Sequence, residues 1–104
     1  KGKVKLPFIP IECKHNAHLY YLILPSHKIR NQFLEYMKSK GVHCVFHYVP
    51  LHSSPYSKKF LKEAINLSIT EDYSNRLVRL PLWIGLQDKQ EYIINNVIDF
   101  LNSI

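Results

Sequence analysis

The run AHLYYLIL, from Ala17 to Leu24, is free of charged residues, rich in leucine and tyrosine, and closed by Pro25. A continuous apolar run of that length bounded by a proline predicts a strand covered on both faces, the central strand of a sheet. The period then changes. Ser26 is placed to cap a helix, Ile29, Phe33, Tyr36 and Met37 recur at helical spacing, and Gly41 suits the left-handed position after a helix. From Val42 to Val49 the chain alternates instead and ends at Pro50. Alternation puts His43, Val45 and His47 on one face of a predicted strand and Cys44, Phe46 and Tyr48 on the other.

Beyond Pro50 the signals are shorter. Ser54 followed by Pro55 is an N-cap with proline at the first helical position, and Tyr56, Phe60, Leu61 and Ala64 give a short amphipathic face. Thr70, with Glu71 and Asp72 behind it, predicts a brief third helix, because acidic groups in a first turn meet the positive end of the helix dipole. A third strand is expected from about Leu77 to Leu80, with Arg76 and Arg79 at its edges and Pro81 closing it. Asp88 and Glu91 have capping-box spacing, and Ile94, Val97, Ile98 and Leu101 form the stripe of a last helix. The order β-α-β-α-α-β-α predicts an α+β sandwich, a small antiparallel or mixed three-stranded sheet with helices packed on one face. Residues 1–16 carry two prolines and no period, and read as an extended leading segment or linker before a single domain over 17–104.

Composition narrows the class. A chain of 104 residues buries one modest core and leaves little room for two lobes around an active site. The net charge of +6 favours anionic partners, but the lysines are dispersed and mark no single patch. Cys13 and Cys44 form no CxxC unit and no signal-peptide pattern precedes them, so reduced thiols and a cytoplasmic location are expected. The longest mostly apolar run, His18 to Pro25, is too short to span a bilayer, and no membrane partner is expected.

Several chemistries fall away on spacing. Cys13, His15, His18, His43, Cys44, His47 and His52 include no pair at the short spacing of structural zinc sites, so no metal is expected. Cys44 and His47 have opposite strand parity and do not read as a nucleophile and base. The aromatic and glycine pattern of an RNA-recognition strand is missing from AHLYYLIL and RLVRLPLW, which argues against nucleic acid.

Two segments remain, HYVPLHSSPY and EDYSNRLVRLPLW. Together with NAHLYYLIL, the helix ending KSKGV, and a closing amphipathic helix, their order and spacing resemble the C-terminal part of the DegT/StrS-type sugar aminotransferases. The resemblance covers essentially the whole chain. It implies the small C-terminal domain of the aspartate-aminotransferase fold, in an enzyme that uses pyridoxal 5′-phosphate to move an amino group from glutamate to the keto carbon of a nucleotide-linked sugar. In the members whose HNAH and HYVPLHSSP segments look most like these, that carbon is C4 of dTDP-4-keto-6-deoxyglucose. It also implies an N-terminal large domain carrying the Schiff-base lysine and most of the phosphate cup, and a second subunit in a homodimer. No lysine here sits in that family's lysine motif, so the chain alone is expected to hold neither cofactor nor catalytic residue.

By the same resemblance, HYVPLH approaches the active-site cleft, which makes His47 and His52 the first candidates for substrate contact. A sugar diphosphate offers hydroxyls and negative charge, which imidazole, phenol and guanidinium groups can bind, so Tyr48, Tyr56 and Arg76 join them. Each has a packing role as the alternative. Tyr48 shares the parity of Phe46, Tyr56 opens a helix, and Arg76 can bridge to Glu71 or Asp72. Arg79, inside an apolar strand, is expected to have a structural partner, and Trp83 to anchor a core or an interface. The rival reading is a free-standing basic binding module for a sugar nucleotide or nucleic acid. A domain of a larger enzyme should expose apolar surface, whereas a free-standing module should be polar there.

Overall fold

The structure, a computed structural model, describes residues 2–61, 63 and 65–104. Ser26 opens the first helix as its sequence suggests, its Oγ accepting a hydrogen bond from the Ile29 amide at 3.2 Å. That helix, α1 (His27–Ser39), follows β1 (Tyr20–Ile23) and ends on Gly41 at φ +73°, a conformation a side chain would strain. The Gly41 amide donates to the Lys38 carbonyl and the Val42 amide to that of Met37, the paired bonds of a Schellman cap. Val42 and Met37 are both buried, so the cap also folds the chain back onto the core.

The remaining elements are β2 (Val45–Phe46), a 3-10 turn (Leu51–Ser53), α2 (Pro55–Phe60), α3 (Ser68–Arg76), β3 (Leu77–Leu80) and α4 (Gln87–Ser103). The α+β order expected from the sequence is present, with the 3-10 turn added. The sheet is antiparallel throughout in the order β1-β3-β2, with Leu22 opposite Val78 and Phe46 also opposite Val78. The central strand is therefore β3, not β1. An apolar run reports that a strand is covered, and β1 is covered without being central. Lys5 exchanges both backbone hydrogen bonds with Ile23 at 3.0 Å, so the leading segment meets the outer edge of β1 at one point.

Leu22, Leu24 and Val78 pack against Phe33 and Met37 of α1 and Val97 and Phe100 of α4. The rings of Phe33 and Phe100 meet edge to face at 5.2 Å. Helices thus cover one face of the sheet. By strand parity the row Tyr21, Arg79, Val45 lies on the other face. Lys3 joins the two ends of the domain, its Nζ donating to the carbonyls of Leu101 at 2.7 Å and Ile104 at 2.8 Å, where the helix dipole is negative.

Several boundaries differ from the sequence expectation. The second strand keeps ladder pairing only at Val45 and Phe46, because β3 is its one neighbour and the chain turns away toward Pro50. α2 ends at Phe60 with Tyr56 and Phe60 exposed, so its apolar face is not packed on the core, and Ala64 lies outside the described residues. α3 begins at Ser68 after Leu67 and has no side-chain cap, which places Thr70 inside the helix. α4 likewise starts after Leu86 without a capping box, and Asp88 serves as a first-turn acid. Its buried positions are Ile93, Asn96, Val97 and Phe100, while Ile94 and Ile98 stay exposed, so the buried stripe is turned one residue from the expected one.

Candidate functional site

The chain from His47 to Ser54 leaves β2, passes Pro50 and forms the 3-10 turn against α3. His47 and Tyr48 stay together, their rings 4.9 Å apart and steeply inclined. The expected alternation breaks here. Tyr48 is 71% exposed, and the guanidinium of Arg79 lies 5.4 Å from its ring centroid, so it accompanies the Arg79 face of the sheet and not the Phe46 face. Beyond the strand pairing, parity no longer fixes where a side chain points. His47 and Tyr48 border an open hollow of about 500 Å³ whose other walls include Leu51, Ile69 and Tyr73. The Nδ1 of His47 is buried without a hydrogen-bond partner.

His52 sits apart from that pair. Its side chain is nearly buried, and its Nε2 lies 2.8 Å from Oε1 of Glu71 on α3. The carboxylate accepts, so Nε2 carries the proton whether or not the ring is charged. Tyr56 is exposed, its ring beside that of Phe60 with centroids 4.7 Å apart. Arg76 takes up the local pairing that was its alternative, with Nη2 donating to Asp72 Oδ2 at 2.5 Å and Nη1 to the Leu24 carbonyl at 3.3 Å. The candidates therefore divide into a pair at the hollow, His47 and Tyr48, and groups already engaged or standing alone, His52, Arg76 and Tyr56.

Arg79 has the ring of Tyr48 beside it and, among the described residues, no ionic partner, and its orphaned Nε is a feature it shares with Arg30 and Arg76. Trp83 is 58% exposed and anchors no core. Arg30, by contrast, is buried on α1 over the ring of Phe46, and burial pulls its guanidinium below its ordinary value. Sequence reasoning missed it because nothing local marks a helical arginine that turns inward. His18 makes a local loop contact, Nδ1 lying 2.6 Å from Asn16 Oδ1. Among the described residues no three His, Cys, Asp or Glu side chains gather as a metal site.

Cys44 is part of the core, and burial pushes its thiol up from 9.0 to about 11. That is no nucleophile at neutral pH. At about pH 8, iodoacetamide should modify exposed Cys13 and spare Cys44 until the chain unfolds, with mass spectrometry as the readout. The folded state holds this proton longer than the unfolded state does. Its contribution to stability is therefore full below pH 9.0 and lost as pH rises through about 11, a slope that Cys44→Ala should flatten in urea titrations.

The comparisons with known proteins agree with this architecture. The profile of the DegT/DnrJ/EryC1/StrS aminotransferase family matches residues 1–98, and the chain belongs to that family. The aminotransferase TlmJ from Streptoalloteichus hindustanus superposes with a TM-score of 0.84 at 21% identity, over 98% of this chain and 27% of that one. Helicobacter pylori PseC, an aminotransferase involved in the biosynthesis of pseudoaminic acid, gives 0.74 at 20% identity, over 84% of this chain and 24% of that one. At such identities the likeness carries the fold. An uncharacterised protein of Methanocaldococcus jannaschii is 28% identical over 102 residues, 94% of this chain and 25% of its own length. The chain thus spans about a quarter of the length of the relatives it matches.

Every described lysine is exposed, and none is walled in by the fold as Schiff-base chemistry requires. The described residues do not by themselves fit a pyridoxal phosphate pocket. No helix among the described residues is long and apolar enough to cross a membrane.

Proposed function

We propose that this chain is the small C-terminal domain of a pyridoxal-phosphate-dependent nucleotide-sugar aminotransferase, which moves an amino group from glutamate to C4 of dTDP-4-keto-6-deoxyglucose. The observation that carries the reading is a family match over residues 1–98 on a chain about a quarter as long as its relatives. The dTDP-linked substrate follows the resemblance of HNAH and HYVPLHSSP to transaminases making dTDP-4-amino-4,6-dideoxygalactose, a step in surface-polysaccharide synthesis in the cytoplasm. The cofactor is supplied with its lysine by a large N-terminal domain, and a second subunit completes the dimer. When bound, the cofactor stabilises negative charge on the carbon that gains or loses the amino group.

Within that enzyme this chain positions and does not catalyse. His47 and Tyr48 contact the sugar nucleotide from the open hollow, with Tyr56 free in solvent beside them in sequence. His52 and Arg76, held by Glu71 and Asp72, keep the loop and α3 in place. The exposed side chains of Phe8, Tyr48, Leu51, Ile69 and Ile84, together with Trp83, favour this reading over a free-standing module, which would have polar surface there.

The test begins with the reading frame upstream of Lys1. It should encode a large domain with a buried lysine, and the longer product should convert glutamate and dTDP-4-keto-6-deoxyglucose to 2-oxoglutarate and an amino sugar, while the 104-residue chain turns over nothing. A stop codon followed by a start codon near Lys1 would sink the proposal.

A further inference from the structure

Residues 6–18 leave the domain and return to it with almost nothing holding them. Before them, Lys3 donates to the last carbonyls of α4, Val4 packs against the core and Lys5 bridges to Ile23. After them β1 begins at Tyr20. Among the described residues the backbone between makes one hydrogen bond, from the Cys13 amide to the Pro10 carbonyl at 2.9 Å, and that bond only closes the turn at the tip. Fixed ends and an unattached body are the marks of a movable flap. In an antiparallel ladder the hydrogen-bonded pair after Lys5 with Ile23 is residue 7 with Tyr21, and Pro7 has no amide to offer, so the pairing stops after one bridge. At the other end Ala17 holds φ at +51°, a left-handed conformation that strains an alanine.

The flap carries apolar side chains into water. Phe8 is 84% exposed and Ile11 wholly so, although Ile11 stands at a turn, where polar residues and glycine are the rule. The open hollow beside His47 and Tyr48 has matching walls, since Leu51 and Ile69 are also exposed. Lys5 brings the two together. Its Nζ lies 6.0 Å from the ring centroid of Tyr73, another wall of the hollow, and Phe8 follows it by three residues, a reach of about 10 Å. At about 500 Å³ the hollow has room for the phenyl ring.

We propose that residues 6–18 are a lid, hinged at Pro7 and Ala17, that swings from its open position to seat Phe8 in the hollow, with Ile11 closing on the rim. The driving force is the removal of apolar surface from water on both sides of the contact. The lid needs no part of the aminotransferase reading. Under that reading it closes over His47 and Tyr48, so lid and sugar nucleotide compete for one place.

Cys13 supplies the probe, because it is exposed on the lid while Cys44 is buried. A nitroxide is attached to Cys13, and the amide NMR peaks of Leu51, Ile69 and Tyr73 are compared before and after the nitroxide is reduced with ascorbate. A minor closed population broadens these peaks in the wild-type chain. The double variant Phe8→Ser, Ile11→Ser, labelled in the same way, should show that broadening reduced about tenfold, because the lid has lost the apolar surface whose burial closes it. Pro7→Val restores the missing amide, lets the pairing run on to Tyr21 and should hold the lid open, with slower hydrogen exchange at the Tyr21 amide as the sign that the pairing has formed. Wild-type peaks that do not broaden overturn the proposal. So does broadening that the double variant leaves unchanged with its remaining spectrum native, or that persists in Pro7→Val once the Tyr21 amide is protected.

Discussion

Phe33→Ala is expected to leave the chain largely unfolded at room temperature. Phe33 is fully buried on α1, where its ring meets Phe100 of α4 edge to face and joins the cluster of Leu22, Leu24 and Val78 on the sheet. Removing a buried phenylalanine ring costs about 3–5 kcal/mol in lost burial and in the cavity left behind. A domain of this size holds about 5–15 kcal/mol in total. This one sits low in that range, because large apolar side chains such as Phe8, Leu51, Ile69 and Ile84 stay in water and contribute nothing to its core. Urea unfolding followed by circular dichroism should show the midpoint falling toward zero denaturant. Phe33→Leu, which keeps most of the volume, should retain a cooperative transition. If Phe33→Ala unfolded at nearly the wild-type midpoint, the α1, α4 and sheet junction would not be the core.

The same junction shows what local sequence could and could not convey. The extent of α1 was legible, since its cap, its apolar period and its terminal glycine are all local and agree with one another, though not the inward turn of Arg30. β3 was legible to the residue, between Arg76 and Pro81. The existence of α4 was legible, but its buried face was not. Ile94, Val97, Ile98 and Leu101 make as good a stripe as Ile93, Val97 and Phe100, and the choice falls to a contact with Phe33 far away in the chain. The order of the strands is also a long-range fact. An apolar run told that β1 is covered, while the ladder that makes β3 central depends on β2 arriving beside it.

The candidate site divides along the same line. The ring-rich loop and its prolines stand out in sequence, and His47 and Tyr48 do lie together at a hollow. What Arg76 does was half legible, because Asp72 is one helical turn away. The contact of Arg79 with Tyr48 was not legible, because strand parity places the two on opposite faces. Nor could the sequence couple His52 to Glu71, which are separated by 19 residues and brought together only when α3 packs under the 3-10 turn.

That last contact carries the second large expectation. Glu71→Ala should destabilise the domain by about 1–3 kcal/mol, the cost of leaving a buried imidazole N–H without an acceptor. His52 is almost buried, whereas Glu71 is partly exposed, so the larger share of the loss falls on the histidine side. Direct ion pairing between partly exposed groups is worth less than about 1 kcal/mol. Glu71→Gln separates the two contributions, because its amide oxygen still accepts from Nε2 and only the charge is gone. Gln should therefore recover most of what Ala loses. The effect should be local as well as global: amide hydrogen exchange in Glu71→Ala should quicken at Ser53 and Ser54, whose N–H groups bond to the carbonyls of Pro50 and Leu51, before it quickens in the core. A double-mutant cycle with His52→Ala completes the test. If the two losses simply added, the imidazole and the carboxylate would be neighbours without being partners, and the loop that carries His47 and Tyr48 would owe its shape to the prolines alone.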